Sequence, residues 1–161
     1  MNQLLADTDI LALETARAWV EQHSDYSASF DLPPLPGDLL SQLGRICDSA
    51  GLSASGNWQV FDWPAVVGPL LRLRRDGHPL VEGAVVLGIE GWGHLRLQVD
   101  GAETRCQATD EPADLECAAH DALRLLFGPL PPSLVRPLPA RAAPLDSWCP
   151  LPLFWPRQDG V

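Results

Sequence analysis

Nine of the sixteen prolines fall in the final 33 residues, at positions 129, 131, 132, 137, 139, 144, 150, 152 and 156. Each proline fixes φ, lacks an N–H donor and pushes the residue before it out of the helical region, so regular structure in this stretch must be brief. The same stretch is rich in Leu, Trp and Phe, and therefore fails the low-hydrophobicity test for disorder. It reads as an irregular strap that packs across something. Sheets and longer helices must come from the residues before it.

The 161 residues suit one ordinary domain or two small ones, and 46% hydrophobic against 20% charged residues supply a real core. At this length roughly 70% of the unfolded chain's surface can be buried. Apolar runs stop at four or five residues, well short of the roughly 20 that a bilayer-spanning helix needs. The N-terminus has no basic segment leading into an apolar block. The expectation is a soluble, unexported, cytoplasmic protein without a membrane span.

All eleven basic residues are Arg, against 21 Asp and Glu, for a net charge of −10. Phosphate binding is driven by clustered cations that release counterions, and the one cluster is Arg72, Arg74 and Arg75. Nucleic acid is therefore not expected as a partner. The four cysteines, Cys47, Cys106, Cys117 and Cys149, contain no CxxC pair, so they read as reduced thiols and not as a zinc or redox motif.

Asp7, Thr8 and Asp9 offer N-cap oxygens. Ile10, Leu13, Ala16 and Val20 then recur at helical spacing, which predicts an amphipathic helix over 9–22. Tyr26 to Leu32 alternates as a half-buried strand and is stopped by Pro33, Pro34 and Pro36. Asp38 caps a second helix, with Leu39, Leu43, Ile46 and Cys47 on one face and Gly51 at its exit. Trp58 to Phe61 reads as another strand. Asp62-Trp63-Pro64 is a clear helix start, followed by Val66, Val67, Leu70, Leu71 and Leu73. Pro69 inside that run predicts a kink or a restart.

From residue 80 the pattern turns to strands: Ala84–Glu90, His94–Val99, Thr104–Ala108 and Asp114–Ala118. Gly91 to Gly93 and Asp100-Gly101 mark the turns. His120 to Phe127 reads as a helix capped by Asp121, with Leu123, Leu126 and Phe127 inward. No internal repeat is present.

Catalytic chemistry is thinly represented. Cys117, His120 and Asp121 lie close in sequence, but His120 in a first helical turn reads more simply as a surface or capping residue. No serine lies in a GxSxG elbow. His78 and His94 have no companion at metal-ligand spacing, so no metal is expected. The chain lacks a P-loop and a GxGxxG, and Gly91-Trp92-Gly93 reads as a hairpin turn.

A resemblance covers about residues 60 to 161. Asp62-Trp63-Pro64, Gly88-Ile89-Glu90, Leu95 through Gly101, Ala122 through Leu130, and Leu151-Pro152-Leu153-Phe154-Trp155-Pro156-Arg157 together resemble the sterol-carrier-like domain at the C-terminus of some bacterial GNAT-type N-acetyltransferases. The enhanced intracellular survival acetyltransferases share that layout. Residues 1 to 61 are similar, more weakly, to the last third of a GNAT domain, with its helix, strand, helix and strand.

The resemblance implies an α+β chain of two parts: a partial GNAT-like unit over 1–61, then a sterol-carrier-like mixed sheet with helices on one face over 62–161. The superfamily's acyl-coenzyme loop runs Gln or Arg, two residues, Gly, one residue, then Gly or Ala. Here Arg74 with Gly77 meets Pro79, and Gln98 with Gly101 meets Glu103. The resemblance therefore implies the C-terminal portion of a longer acetyltransferase, or a degenerate relative, with no acetyl-CoA site of its own.

In the survival-type enzymes the terminal carboxylate reaches the acetylation site as a proton acceptor. By resemblance that group is the carboxylate of Val161. True sterol carriers enclose an apolar tunnel, which here would be lined by Trp92, Leu123, Phe127, Trp148, Phe154 and Trp155. Large aromatics fill such a space equally well, and close packing favours a filled core.

Three functions follow as expectations. The first is an accessory acetyltransferase module that shapes the acceptor site and mediates contacts with a second copy or with an acetyltransferase N-terminal region. The second is a carrier of a lipid or other hydrophobic small molecule. The third is an interaction protein that uses an open edge at 26–32.

Overall fold

The computed structural model describes residues 9–23 and 58–153, with isolated positions 42, 45, 47–49 and 51 between them. The chain divides into two compact units, Met1–Gly51 and Leu52–Val161. That boundary precedes the 61/62 division suggested by the sequence, because Val60 packs against the core of the second unit. The strand expected over 26–32, the helix expected from Asp38, Phe154, Trp155 and Val161 lie outside the described residues.

In the first unit, helix α1 spans Asp9–Gln22, as the periodicity predicts. Its buried stripe is Ala12, Leu13 and Ala16, while Ile10 and Val20 are exposed. The expected stripe of Ile10, Leu13, Ala16 and Val20 is therefore corrected. Ile10 lies off the Ala12–Ala16 face at 100° per residue, and Val20 lies beyond its last buried turn. Near the helix end the His23 ring stacks on Trp19, with centroids 4.6 Å apart.

The second unit is α+β, built on a four-stranded mixed sheet. Helix α2, Trp63–Gly77, begins as the sequence indicates: the Asp62 carboxylate accepts from the Ala65 N–H at 3.1 Å, and Pro64 sits in the first turn. Trp63, Val67, Leu71 and Arg74 recur at helical spacing on its buried side. Pro69 does not divide the helix. It stands on the exposed side, and the carbonyl it leaves without a helical donor belongs to exposed Ala65. Trp58 to Phe61 form no strand, and Phe61 is exposed just ahead of the Asp62 cap.

Strands β1 (Gly83–Ile89), β2 (Gly93–Asp100), β3 (Glu103–Thr109) and β4 (Leu115–Cys117) follow. Their spatial order is β3-β2-β1-β4, with β1–β2 and β2–β3 antiparallel and β1–β4 parallel. The first hairpin turns at Glu90-Gly91-Trp92, where Gly91 has φ 78°. The second turns at Gly101-Ala102, with Gly101 at φ 53°. Glycine as the first of two loop residues suits a hairpin whose twist matches its strands.

Register sorts the side chains. Val85, Leu87 and Ile89 align with Leu97, Leu95, Leu115 and Cys117 on one face, and all are buried. The opposite face carries His94, Arg96, Gln98, Arg105, Gln107 and Glu116. Strands β2 and β4 thus show the period of two that separates a packed face from a polar one, whereas the central strand β1 is buried on both faces from Val85 to Ile89.

Helix α3 spans Ala119–Phe127 and buries Ala122, Leu125, Leu126 and Phe127. Leu125 takes the inward place assigned to Leu123, which is half-buried. The N-cap is Ala118, without a side-chain bond, so Asp121 lies in the first turn and does not cap. The helix ends at Gly128, whose φ is 71° and whose N–H donates to the Arg124 carbonyl at 3.1 Å. A Cβ there would stand 2.7 Å from the Pro150 Cβ.

The proline-rich stretch then crosses the inner face in short pieces: α4 (Pro132–Val135), a 3-10 turn (Ala140–Ala142) and α5 (Leu145–Trp148). Ala142, Leu145, Trp148, Cys149 and Leu151 enter the same core cluster as α2, α3 and the sheet. No helix among the described residues is long and apolar enough to cross a membrane.

Candidate functional site

The second unit offers two places where a ligand could meet functional side chains: its apolar interior and the polar face of its sheet. The interior is organised around Trp148, which is fully buried. Its indole N–H donates to the Val81 carbonyl at 2.7 Å, and the neighbouring Ser147 hydroxyl accepts from the Val81 N–H at 3.1 Å. Because the polar edge of the indole is satisfied, its apolar body can occupy the core at no desolvation cost.

Of the residues expected to line a tunnel, Phe127 and Trp148 are core members, while Trp92 and Leu123 are half-buried and packed against that core. The core therefore joins all four into one apolar cluster. Phe127 and Trp148 are held by the chain itself, since the Leu151 N–H donates to the Leu126 carbonyl at 2.7 Å and ties the strap to α3.

Beside this cluster lies Arg74, 9% exposed, whose Nε and Nη1 have no hydrogen-bond partner. Burial lowers its pKa, against the favourable influence of Cys149. The Cys149 thiol is itself pushed up to about 12 by burial and stays neutral, so it does not compensate the guanidinium.

Cys106 and Cys117 are raised to about 12 and about 11, in both cases chiefly by burial. Protonated thiols are poor nucleophiles. The Cys117 thiol faces the Gly88 carbonyl at 3.5 Å, whereas His120 is 81% exposed and lies 3.2 Å from Asp121. The Cys117, His120 and Asp121 group therefore splits into a core thiol and a surface pair.

The polar face of the sheet holds an arrangement that sequence spacing did not reveal. Gly88 on the central strand β1 pairs with His94 on β2 and Glu116 on β4. A Cβ at Gly88 would stand 1.9 Å from Glu116 Oε2, so the carboxylate lies over the glycine. Across that gap His94 Nε2 approaches Glu116 Oε1 to 3.9 Å.

The far nitrogen, His94 Nδ1, is 2.6 Å from the Glu111 carbonyl. Since a carbonyl only accepts, Nδ1 carries the proton and donates. Glu111 is held in turn by Arg96 and by its contacts with Thr109. Arg136 donates to the Glu116 carbonyl at 3.1 Å and steadies β4. The available signal was the isolated glycine in Val85-Val86-Leu87-Gly88-Ile89, since a glycine inside a strand marks a close approach. Among the described residues no group of three or more His, Cys, Asp or Glu side chains converges to hold a metal.

No protein-family model, curated protein or solved structure matches this chain.

Proposed function

We propose that the chain is an accessory module of a GNAT-type N-acetyltransferase, one that shapes the acceptor side and oligomer contacts and does not itself hold acetyl-CoA. The reading rests on the resemblance of its two parts. The observation that carries it over the alternative, a lipid carrier, is Trp148: an indole from the chain's own strap fills the inner face of the sheet, with its N–H satisfied and no surface exposed. A carrier would keep that volume for its cargo.

Two further features support the module reading. The near-matches to an acyl-coenzyme loop lie at the C-terminal end of α2, for Arg74 to Pro79, and in the β2–β3 hairpin, for Gln98 to Glu103. Neither opens a helix, where backbone N–H groups converge to bind phosphate. In addition, the raised Cys106, Cys117 and Cys149 thiols offer no activated nucleophile.

Native mass spectrometry of the purified chain, alone and with acetyl-CoA, tests the reading. An unliganded species that ignores the coenzyme is the expected result. A co-purifying lipid-sized adduct would make the carrier reading primary, and a stoichiometric coenzyme adduct would overturn the accessory role.

A further inference from the structure

We infer that the polar face of the sheet carries a binding position for a divalent cation of the zinc class, between the His94 imidazole and the Glu116 carboxylate above Gly88. This inference is independent of the acetyltransferase reading. Residues on β2 and β4 are separated by a whole strand, about 10 Å at the usual spacing, and an intervening side chain on β1 normally keeps them apart. Here that residue is Gly88, and Glu116 occupies the space a Cβ would take. His94 Nε2 and Glu116 Oε1 consequently face each other at 3.9 Å.

Both facing atoms are electron-pair donors. Because Nδ1 donates its proton to the Glu111 carbonyl, Nε2 is the ring nitrogen left to offer a lone pair to a metal, and it faces a carboxylate oxygen. Two lone pairs so placed are complementary to a cation between them. Zinc takes nitrogen and oxygen ligands at about 2.0 to 2.2 Å, and a small inward swing of Glu116, whose side chain is 71% exposed, brings both ligands to that distance.

The support around the pair matches what a ligating histidine needs. Its second nitrogen is fixed by a backbone carbonyl, the usual device that sets tautomer and ring orientation at metal sites. The residue supplying that carbonyl, Glu111, is itself anchored by Arg96 and Thr109. Two protein ligands leave the remaining positions to water, which describes an exchangeable surface site and not a closed structural one. A net charge of −10 favours cations near the chain generally.

The test is calorimetric titration of the full chain with zinc alone, under reducing conditions and with Cys47→Ser as the background, because that thiol is exposed. Imidazole NMR follows His94 in parallel. The expected result is a single zinc whose binding shifts the Nε2 resonance of His94. Binding should be lost in His94→Ala and weakened at least roughly tenfold in Glu116→Gln, the scale on which shell residues affect metal affinity.

Glu116→Gln is isosteric at an exposed position, so it keeps the test clear of misfolding. Zinc binding unchanged in either variant, or no binding at millimolar zinc, would overturn the inference. So would an Nε2 found protonated at neutral pH and indifferent to zinc, since His94 and Glu116 would then form a plain ion pair.

Discussion

Replacing Trp148 with alanine tests the claim that the protein fills its own interior. The indole is fully buried among Leu71, Leu87, Leu125 and Leu145 in the core cluster, so truncation removes a whole aromatic side chain and leaves a cavity that the strap cannot readily close. Losses of this kind cost about 3–5 kcal/mol. The hydrogen bond to Val81 is the smaller part of that loss, roughly 1 kcal/mol, because Val81 is an exposed residue whose carbonyl can turn to water. Trp148→Phe keeps most of the packing and should cost about 1–2 kcal/mol, the hydrogen bond supplying roughly 1 of these. Urea unfolding followed by circular dichroism measures both, with the midpoint of the second unit as the readout. A small apolar probe such as indole should stabilise Trp148→Ala and leave the parent unchanged, because an apolar cavity stays dry and accepts apolar guests. A loss under about 1 kcal/mol for Trp148→Ala, or an equal response of the parent to indole, would refute the argument and restore an open tunnel.

Three further outcomes are expected. Gly128→Ala should lower stability by about 2–5 kcal/mol, the sum of left-handed backbone strain and overpacking against Pro150, as read from a denaturant midpoint. Arg74→Met should leave the unfolding midpoint unchanged or raise it by about 1–3 kcal/mol, since it removes buried donors that have no partner; a large loss would show that the guanidinium is compensated. Stability should fall as the pH rises above about 9, because Cys149 is held neutral to about 12 when folded but ionises from its ordinary 9.0 when unfolded. The native state binds the extra proton in that window, so its advantage is complete below 9 and is lost towards 12. Cys149→Ala should flatten the alkaline slope measured by pH-dependent denaturation.

The elements whose signals are local were legible in the sequence. Asp62 with Pro64 announced the start of α2, and the glycines at 91 and 101 marked both hairpins. The prolines after residue 128 dictated short pieces, and among the described residues there the helical elements are three or four residues long. The misreadings came where tertiary packing chooses among equivalent local patterns. Leu123 and Leu125 are equally apolar, and only the position of β1 and the strap decides that Leu125 points inward. Pro69 looked like a helix breaker because the sequence does not say which side of α2 faces water. Trp58 to Phe61 alternate like a strand, yet a strand exists only where a ladder partner is at hand.

The candidate site was the least legible part, and the reason is physical. Metal and catalytic motifs are read from residues a few positions apart on one helix or loop, whereas His94 and Glu116 are brought together by the parallel pairing of β1 with β4. Nothing local distinguishes Glu116 from the other carboxylates. What did stand in the sequence was Gly88, an apparent weakness in the most buried strand. A side chain there would have to displace Glu116, so the glycine makes sense only once the neighbours on both flanking strands are known. Gly88→Ala therefore separates two explanations of that residue. If it only accommodates packing, the exposed Glu116 carboxylate swings aside at little cost to stability and zinc affinity is unchanged. If the gap serves the pair, zinc affinity falls further than stability does, because the added Cβ drives the carboxylate away from Nε2.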